Sequence, residues 1–406
     1  MGSEVSELPG PADEGHALGE ATRLVRGGLE RSRFDETAEA IYPTSGYVYS
    51  TAAEAEAAFA GEHDRYIYSR YGNPTVSVFE ERLRLLEGAE SCMATASGMA
   101  AVFASLASLV AAGDRVVASR ALFGSCHVIL DEILPRLGVH TTLIDGTSLA
   151  EWEQALAGGA KAVFLETPSN PGLEIIDLAP VCNMAHDAGA LVIVDNVFAS
   201  PVLQKPLEFG ADVVVYSATK HIDGQGRTMG GAVLGPSEYI DKTLMQFLRH
   251  TGPSLSPFNA WVLAKGLETI RLRVEESSRT CAELAGRLEA DARVATVRYP
   301  FLPSHPQHDL AKLQMSAGGT IFTIDVGTKE RAFGFLDGLR LFDISNNVGD
   351  SKSLVTHPAT TTHRRLSPEA REAVGIGDGM VRLSVGLEDL EDLSDDLDRG
   401  LKASAG

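Results

Sequence analysis

The chain has 406 residues, of which 35 are Lys or Arg and 55 are Asp or Glu, for a formal net charge of −20. Hydrophobic residues make up 44% and charged residues 22%, globular proportions on a chain long enough for roughly two or three domains. The acidic balance and the lack of any Lys/Arg-rich run disfavour nucleic-acid and membrane-surface partners. Cys92, Cys126, Cys182 and Cys281 are dispersed and form no C-x-x-C pair, which disfavours a disulfide framework and a cysteine-rich zinc site. The expected compartment is the reducing cytoplasm.

Residues 1–20 are rich in Gly, Pro, Glu and Asp and read as a disordered tail; without an early Lys or Arg or an apolar run, no export signal is expected. Residues 21–75 show no clean hydrophobic period and are rich in Tyr, as expected of an extended N-terminal arm that needs another surface to lie on. The uncharged stretch Ser91–Gly113 is long enough to span a bilayer, but its Ala, Ser, Gly and Thr content reads instead as a buried helix.

Over residues 76–258, short apolar runs alternate with helical stretches. The runs are Arg115–Ser119, Thr141–Ile144, Ala162–Glu166, Leu191–Asp195, Val213–Tyr216 and Ala232–Leu234; helices are predicted at Gly124–Leu137, Leu149–Ala157 and Leu178–Ala188. The alternation predicts a large α/β domain with a mostly parallel sheet flanked by helices, whose ligands bind at the carboxyl ends of the strands. Residues 259–406 predict a smaller C-terminal α+β domain: a long helical stretch to about Ala290, then strand-like Val294–Tyr299, Thr320–Val326, Leu341–Ile344 and Val381–Val385. Leu387, Leu390, Leu393, Leu397 and Leu401 form one apolar face of a last helix, and the seven acidic residues between Glu388 and Asp398 are expected on its solvated face.

Three strand ends carry polar groups. One apolar run ends in Asp195, a second leads into Ser217, Thr219 and Lys220, and a third ends in Glu166 and leads to Asn170. A buried carboxylate needs a cation. An Asp and a Lys at neighbouring strand ends suit pyridoxal phosphate, which needs an amine for its aldehyde and a carboxylate for its pyridine nitrogen. Ser217 and Thr219 are close enough to Lys220 to reach its phosphate, and Ser97-Gly98-Met99 would offer helix-start N–H groups to the same dianion. The alternative is a structural ion pair between Asp195 and Lys220.

The segment Tyr216-Ser-Ala-Thr-Lys220-His-Ile-Asp-Gly-Gln-Gly226 resembles the cofactor-lysine motif of the Cys/Met-metabolism family of pyridoxal-phosphate enzymes. Tyr68-Ser-Arg70-Tyr-Gly-Asn-Pro-Thr75, Ser97-Gly-Met-Ala-Ala101, Glu166-Thr-Pro-Ser-Asn-Pro171, Val194-Asp-Asn196 and Arg382-Leu-Ser-Val-Gly-Leu-Glu-Asp389 resemble further family motifs, in the family's order, over residues 22–400. The resemblance implies pyridoxal-phosphate fold type I. It implies that Lys220 holds the cofactor covalently and later moves protons, and that Asp195 pairs with the pyridine nitrogen. Gly98, Met99, Ser217 and Thr219 would bind the phosphate. Tyr68 and Arg70 would reach the phosphate of a neighbouring subunit, with Tyr68 also catalytic. Arg382 would grip the substrate α-carboxylate, with Asn347 and Asn170 in the substrate site.

Two departures stand out. Phe123 occupies the place of the family's ring-stacking Tyr and cannot exchange a proton. His221 replaces the Tyr common after the lysine and reads as packing or a local hydrogen bond. Residues 345–363 resemble the sulfhydrylases of the family. Gly224-Gln-Gly-Arg227 and Leu122-Phe-Gly-Ser125 resemble the branch acting on O-succinylhomoserine. Sulfide is then the expected second substrate, and a homotetramer of dimers with shared sites the expected assembly. Cystathionine γ-synthase, O-acetylhomoserine sulfhydrylase and methionine γ-lyase are the rivals inside the family. Outside it, a nicotinamide dehydrogenase is disfavoured because Gly224, Gly226 and Gly230 follow a lysine loop rather than open a helix after a strand. A metal enzyme built on His357 and His363, or on His305 and His308, is disfavoured because both pairs lie in loops without a carboxylate cluster.

Overall fold

The computed structural model describes residues 18–29 and 31–405. Residues 1–17, most of the expected tail, lie outside the described residues. Seven strands form the larger sheet: β1 (Ser91–Thr95), β2 (Arg115–Ser119), β3 (His140–Ile144), β4 (Ala162–Glu166), β5 (Leu191–Asp195), β6 (Val213–Ser217) and β7 (Gly231–Gly235), in the order β1-β7-β6-β5-β4-β2-β3. β7 runs antiparallel to both neighbours, and the other adjacent pairs are parallel.

The apolar runs are continuous because both faces are covered. Ala118, Phe164, Ile193 and Val215 pack into one core, while Val117, Val163, Leu165, Val192 and Val194 pack into another. Successive side chains of a strand point to opposite faces, so a run such as Val163-Phe164-Leu165 feeds both cores in turn.

β1 corrects the reading of Ser91–Gly113 as one helix. Ser91–Thr95 is a strand paired antiparallel with β7, and the helix spans Gly98–Ala107. The Ser97 hydroxyl caps this helix by accepting from the Ala100 N–H at 3.2 Å. An uncharged stretch of small residues has no period to separate strand from helix; the pairing with β7 decides it. Among the described residues no helix is long and apolar enough to cross a membrane.

The second sheet holds β8 (Thr296–Arg298), β9 (Ile321–Asp325), β10 (Asp343–Ile344), β11 (Leu354–Thr356) and β12 (Met380–Ser384), in the order β10-β11-β12-β9-β8. β11 was not anticipated. Its three residues lie between Ser- and Pro-containing loops and become a strand by pairing with β10 and β12. The helix Leu390–Ala403 buries Leu393, Leu397 and Leu401 as expected. Asp396, however, is not on a solvated face. It is fully buried, and its carboxylate accepts from the backbone N–H groups of Arg340 at 2.9 Å and Leu341 at 2.8 Å.

The arm is moored on its own chain before it extends away. Arg82, fully buried in the helix Pro74–Glu87, donates to the carbonyls of Gly27 at 2.9 Å and Ala264 at 3.2 Å. It pairs with Glu39 of the arm and with Glu268. Burial raises the pKa of Glu39, but Lys265 and Arg82 outweigh it and hold the carboxyl below its usual range. Further along, Val48 is 90% and Phe59 68% exposed.

Removing Arg82 would leave Glu39 buried without its guanidinium partner. Because Lys265 still pairs with Glu39, Arg82→Met should lower stability by about 1.5–3 kcal/mol in denaturant unfolding, the usual cost of losing a buried hydrogen-bond partner of a charged group. A loss below about 1 kcal/mol would show that the arm is not anchored there.

Candidate active site

The covered sheet leaves its carboxyl edge as the place for polar groups. There a cavity of about 260 Å³ is lined by the start of the helix Gly98–Ala107, the ends of β4, β5 and β6, and Arg382 from β12. Of the sequence-predicted residues, Gly98, Met99, Phe123, Asn170, Asp195, Ser217, Thr219, Lys220 and Arg382 all line it.

Asp195 closes β5 and is 7% exposed. Its Oδ1 accepts from the Val197 N–H at 3.1 Å. Burial pushes its pKa up to about 7 despite that bond. Lys220 follows β6, and its Nζ donates to Asn347 Oδ1. Burial, helped by the charge of Arg382, brings the amine down to about 8. Among the described residues Asp195 and Lys220 form no ion pair, so the structural alternative for these two is not what the fold uses.

At the other end, the helix start is pressed onto the sheet. A Cβ on Gly98 would lie 2.5 Å from Ser217 Cβ, and one on Gly231 would lie 2.3 Å from the Ser97 carbonyl oxygen. Glycine at both positions lets the N–H groups of Gly98 and Met99, which precede the first intrahelical bond of Ala101 to Ser97, sit beside Ser217. The Thr219 hydroxyl accepts from the Gly230 N–H at 3.1 Å, which fixes the loop carrying Lys220.

Arg382 is buried in the middle of β12. It donates to Asn170 Oδ1 at 2.8 Å and to the Asn346 carbonyl at 2.9 Å. Burial brings its pKa down to about 10, with the Glu166 carboxyl pulling the other way. Its hydrogen-bond partners in the chain are neutral oxygens, which leaves the guanidinium charge for an anion. Asn347, expected in the substrate site, offers this arginine its backbone carbonyl at 3.5 Å, and its side-chain oxygen accepts from Lys220. His221 does make local bonds: Nδ1 donates to the Val197 carbonyl at 3.1 Å, so Nε2 accepts from Thr320 Oγ1 at 2.8 Å.

Tyr68 and Arg70 lie elsewhere. Tyr68 is 42% exposed, and Arg70 donates to the Arg249 carbonyl with its guanidinium 4.9 Å from the Tyr71 ring centre. Neither lines this chain's cavity. Sequence reasoning left Glu166 without a role, although it lines the cavity and sits in register beside Asp195. Its place at the end of a wholly apolar strand, as with Asp195, was the available signal. The loop histidines considered as metal ligands are tied to backbone: His357 Nε2 to the Asp378 carbonyl at 2.8 Å and His305 Nε2 to the Leu173 carbonyl at 3.0 Å.

Pyridoxal phosphate fits these residues. A buried carboxyl without a cation meets the need of a pyridine nitrogen. An amine of lowered pKa meets the aldehyde. The glycine cradle of Gly98 against Ser217 and Thr219 offers donors to a phosphate, and Phe123 offers a flat apolar face.

In cofactor-free protein, Lys220 should react with an amine-selective acylating reagent with a pH midpoint near 8 rather than near 10.5. The rate should rise with pH as the free base forms. Rates measured by mass spectrometry of the Lys220 peptide between about pH 6 and 11 test this; a midpoint at the ordinary lysine value would contradict the burial.

The comparisons agree with the geometry. Residues 21–402 match the family described as Cys/Met metabolism PLP-dependent enzyme. A protein of Mycobacterium tuberculosis named O-succinylhomoserine sulfhydrylase is 61% identical over 389 residues, 95% of this chain and 96% of that one. A protein of the same name from Pseudomonas aeruginosa is 50% identical over 383 residues, 94% of this chain and 95% of that one. A Campylobacter jejuni structure solved with N'-pyridoxyl-lysine-5'-monophosphate superposes with a TM-score of 0.91 at 31% identity, covering 95% of this chain and 100% of that one. With its type I fold, its strand-end lysine and aspartate and this match over nearly its whole length, the chain belongs to the Cys/Met metabolism family of pyridoxal-phosphate-dependent enzymes.

Proposed function

We propose that the enzyme carries out γ-replacement, converting O-succinyl-L-homoserine and sulfide to L-homocysteine and succinate in methionine biosynthesis, in the cytoplasm. The observation that carries this reading is one cavity holding Lys220, Asp195 and Arg382 in a chain whose relatives at 61% and 50% identity are named for that activity.

Each residue then has a task. Arg382, hydrogen-bonded to the neutral oxygens of Asn170 and Asn346, takes the substrate α-carboxylate. Asp195, ionised by a cationic partner, would hold the pyridine nitrogen. Gly98, Met99, Ser217 and Thr219 would hold the phosphate. Bound pyridoxal phosphate supplies an electron sink that makes the Cα and Cβ protons acidic. The Lys220 amine, with a pKa near 8, is poised to take the Cα proton close to neutral pH. Loss of a Cβ proton then lets the Cγ–O bond break with succinate leaving, hydrosulfide forms the Cγ–S bond, and protons returned to Cβ and Cα complete the product. Phe123 would offer the ring a flat apolar face, and it exchanges no proton.

A second copy completes the site on this reading. Tyr68 and Arg70 lie on an arm with exposed apolar residues and away from their own cavity, which supports their reaching a neighbour's phosphate. The assembly is a homotetramer of such dimers.

Purified enzyme given O-succinylhomoserine with sulfide should yield homocysteine; cystathionine as the dominant product when cysteine and sulfide compete would overturn the choice of nucleophile. Lys220→Ala should abolish turnover. Lys220→Ala and Arg70→Ala, each impaired alone, should recover activity toward about a quarter of wild type when unfolded and refolded together, because about half of random dimers are mixed and each mixed dimer has one intact site. No recovery would show that the sites are not shared.

A further inference from the structure

Two buried carboxyls stand side by side at the carboxyl edge, Glu166 ending β4 and Asp195 ending β5, in direct register. The reading above uses only Asp195. Glu166 is 3% exposed and lines the same cavity. Its Oε2 accepts from the Phe123 backbone N–H at 2.7 Å. That N–H belongs to the residue that caps the helix Gly124–Val128, and a Cβ on Gly124 would lie 2.7 Å from the Thr362 carbonyl oxygen. The Phe123 backbone is therefore held by a carboxyl, and the next residue meets a close backbone approach.

The same carboxyl faces the substrate end. The Asn170 backbone N–H and the Arg382 guanidinium both act on Glu166, and the Asn170 side chain accepts from Arg382 at 2.8 Å. The charged groups facing Glu166 are thus Asp195 on the next strand and Arg382 from β12. Burial and the neighbouring Asp195 hold Glu166 well above the usual carboxyl range.

We propose that Glu166 is a positioning residue that ties the ring-face residue Phe123 and the Asn170–Arg382 pair to the end of β4 by accepting hydrogen bonds there. This rests on the cofactor and substrate assignments above. It predicts a separation of effects. Loss of the acceptor should disturb the orientation of the bound cofactor and the grip on the substrate carboxylate while Lys220 and Asp195 still retain the cofactor.

The test compares holoenzyme of wild type, Glu166→Ala, Glu166→Asp and Glu166→Gln by cofactor absorbance, by visible circular dichroism of the bound cofactor, and by kcat and KM for O-succinylhomoserine. Glu166→Ala should keep the absorbance, lose at least about half of the visible dichroism and raise KM about tenfold, since displacing groups that set substrate geometry is costly. Glu166→Asp, one methylene short of the Phe123 N–H, should show the same split if the alanine variant does not fold. Glu166→Gln, which keeps the length and an acceptor oxygen for the Phe123 N–H, should restore dichroism and KM to within about threefold of wild type. Unchanged dichroism and KM in the shortened variants, or a glutamine variant as impaired as alanine, would overturn the proposal. Wild type without cofactor absorbance would instead sink the underlying assignment, so the two failures are distinguishable.

Discussion

Burial of the larger sheet on both faces is the constraint on which the rest depends. Side chains in the middle of β2, β4, β5 and β6 have no water to reach and are apolar. Polar chemistry is expelled to the strand ends, and parallel strands put those ends on one edge. Asp195, Glu166, Ser217 and Lys220 meet there although up to 54 residues separate them (166 to 220). The antiparallel β7 continues the sheet past β6 and, through Gly231, lets the helix starting at Gly98 come close enough to add its N–H groups.

The electrostatics of the edge follow from desolvation. The net charge of −20 disfavours anions at long range, yet a phosphate and a substrate carboxylate must bind. Arg382 and Lys220 reverse the balance locally, both held by neutral oxygens of asparagines rather than by acids. Desolvation that moves Lys220 toward 8 and Asp195 toward 7 also prepares one to give up a proton and the other to welcome a cation. Asp396 shows the same physics used for structure alone: its buried carboxylate is satisfied by backbone N–H groups and holds the turn before β10.

Legibility differed from residue to residue. Lys220 and Asp195 could be read because a titratable group ending an apolar run is conspicuous. Glu166 carried the same mark but no role, because its partners, the Phe123 N–H and Arg382, are distant in sequence. Asn347 was placed with Arg382 by resemblance, while its side chain turns to Lys220. β1 and β11 escaped because small uncharged residues and a three-residue run have no readable period; their pairing makes them strands. The buried Asp396 looked like one more solvated acid, since helical period places a side chain on a face but cannot say that the 340–342 turn covers it.

By itself the sequence determined the strand-and-helix alternation, the family motifs and the two groups most suited to the cofactor, because hydrophobic period and strand-end polarity are local properties. The tertiary structure decided which side chains share a cavity, which carboxyl stands beside Asp195, how the arm is moored through Arg82, and that Tyr68 and Arg70 lie away from their own site. Those outcomes turn on contacts between distant segments and on the water they exclude, and neither is written in any one stretch of chain.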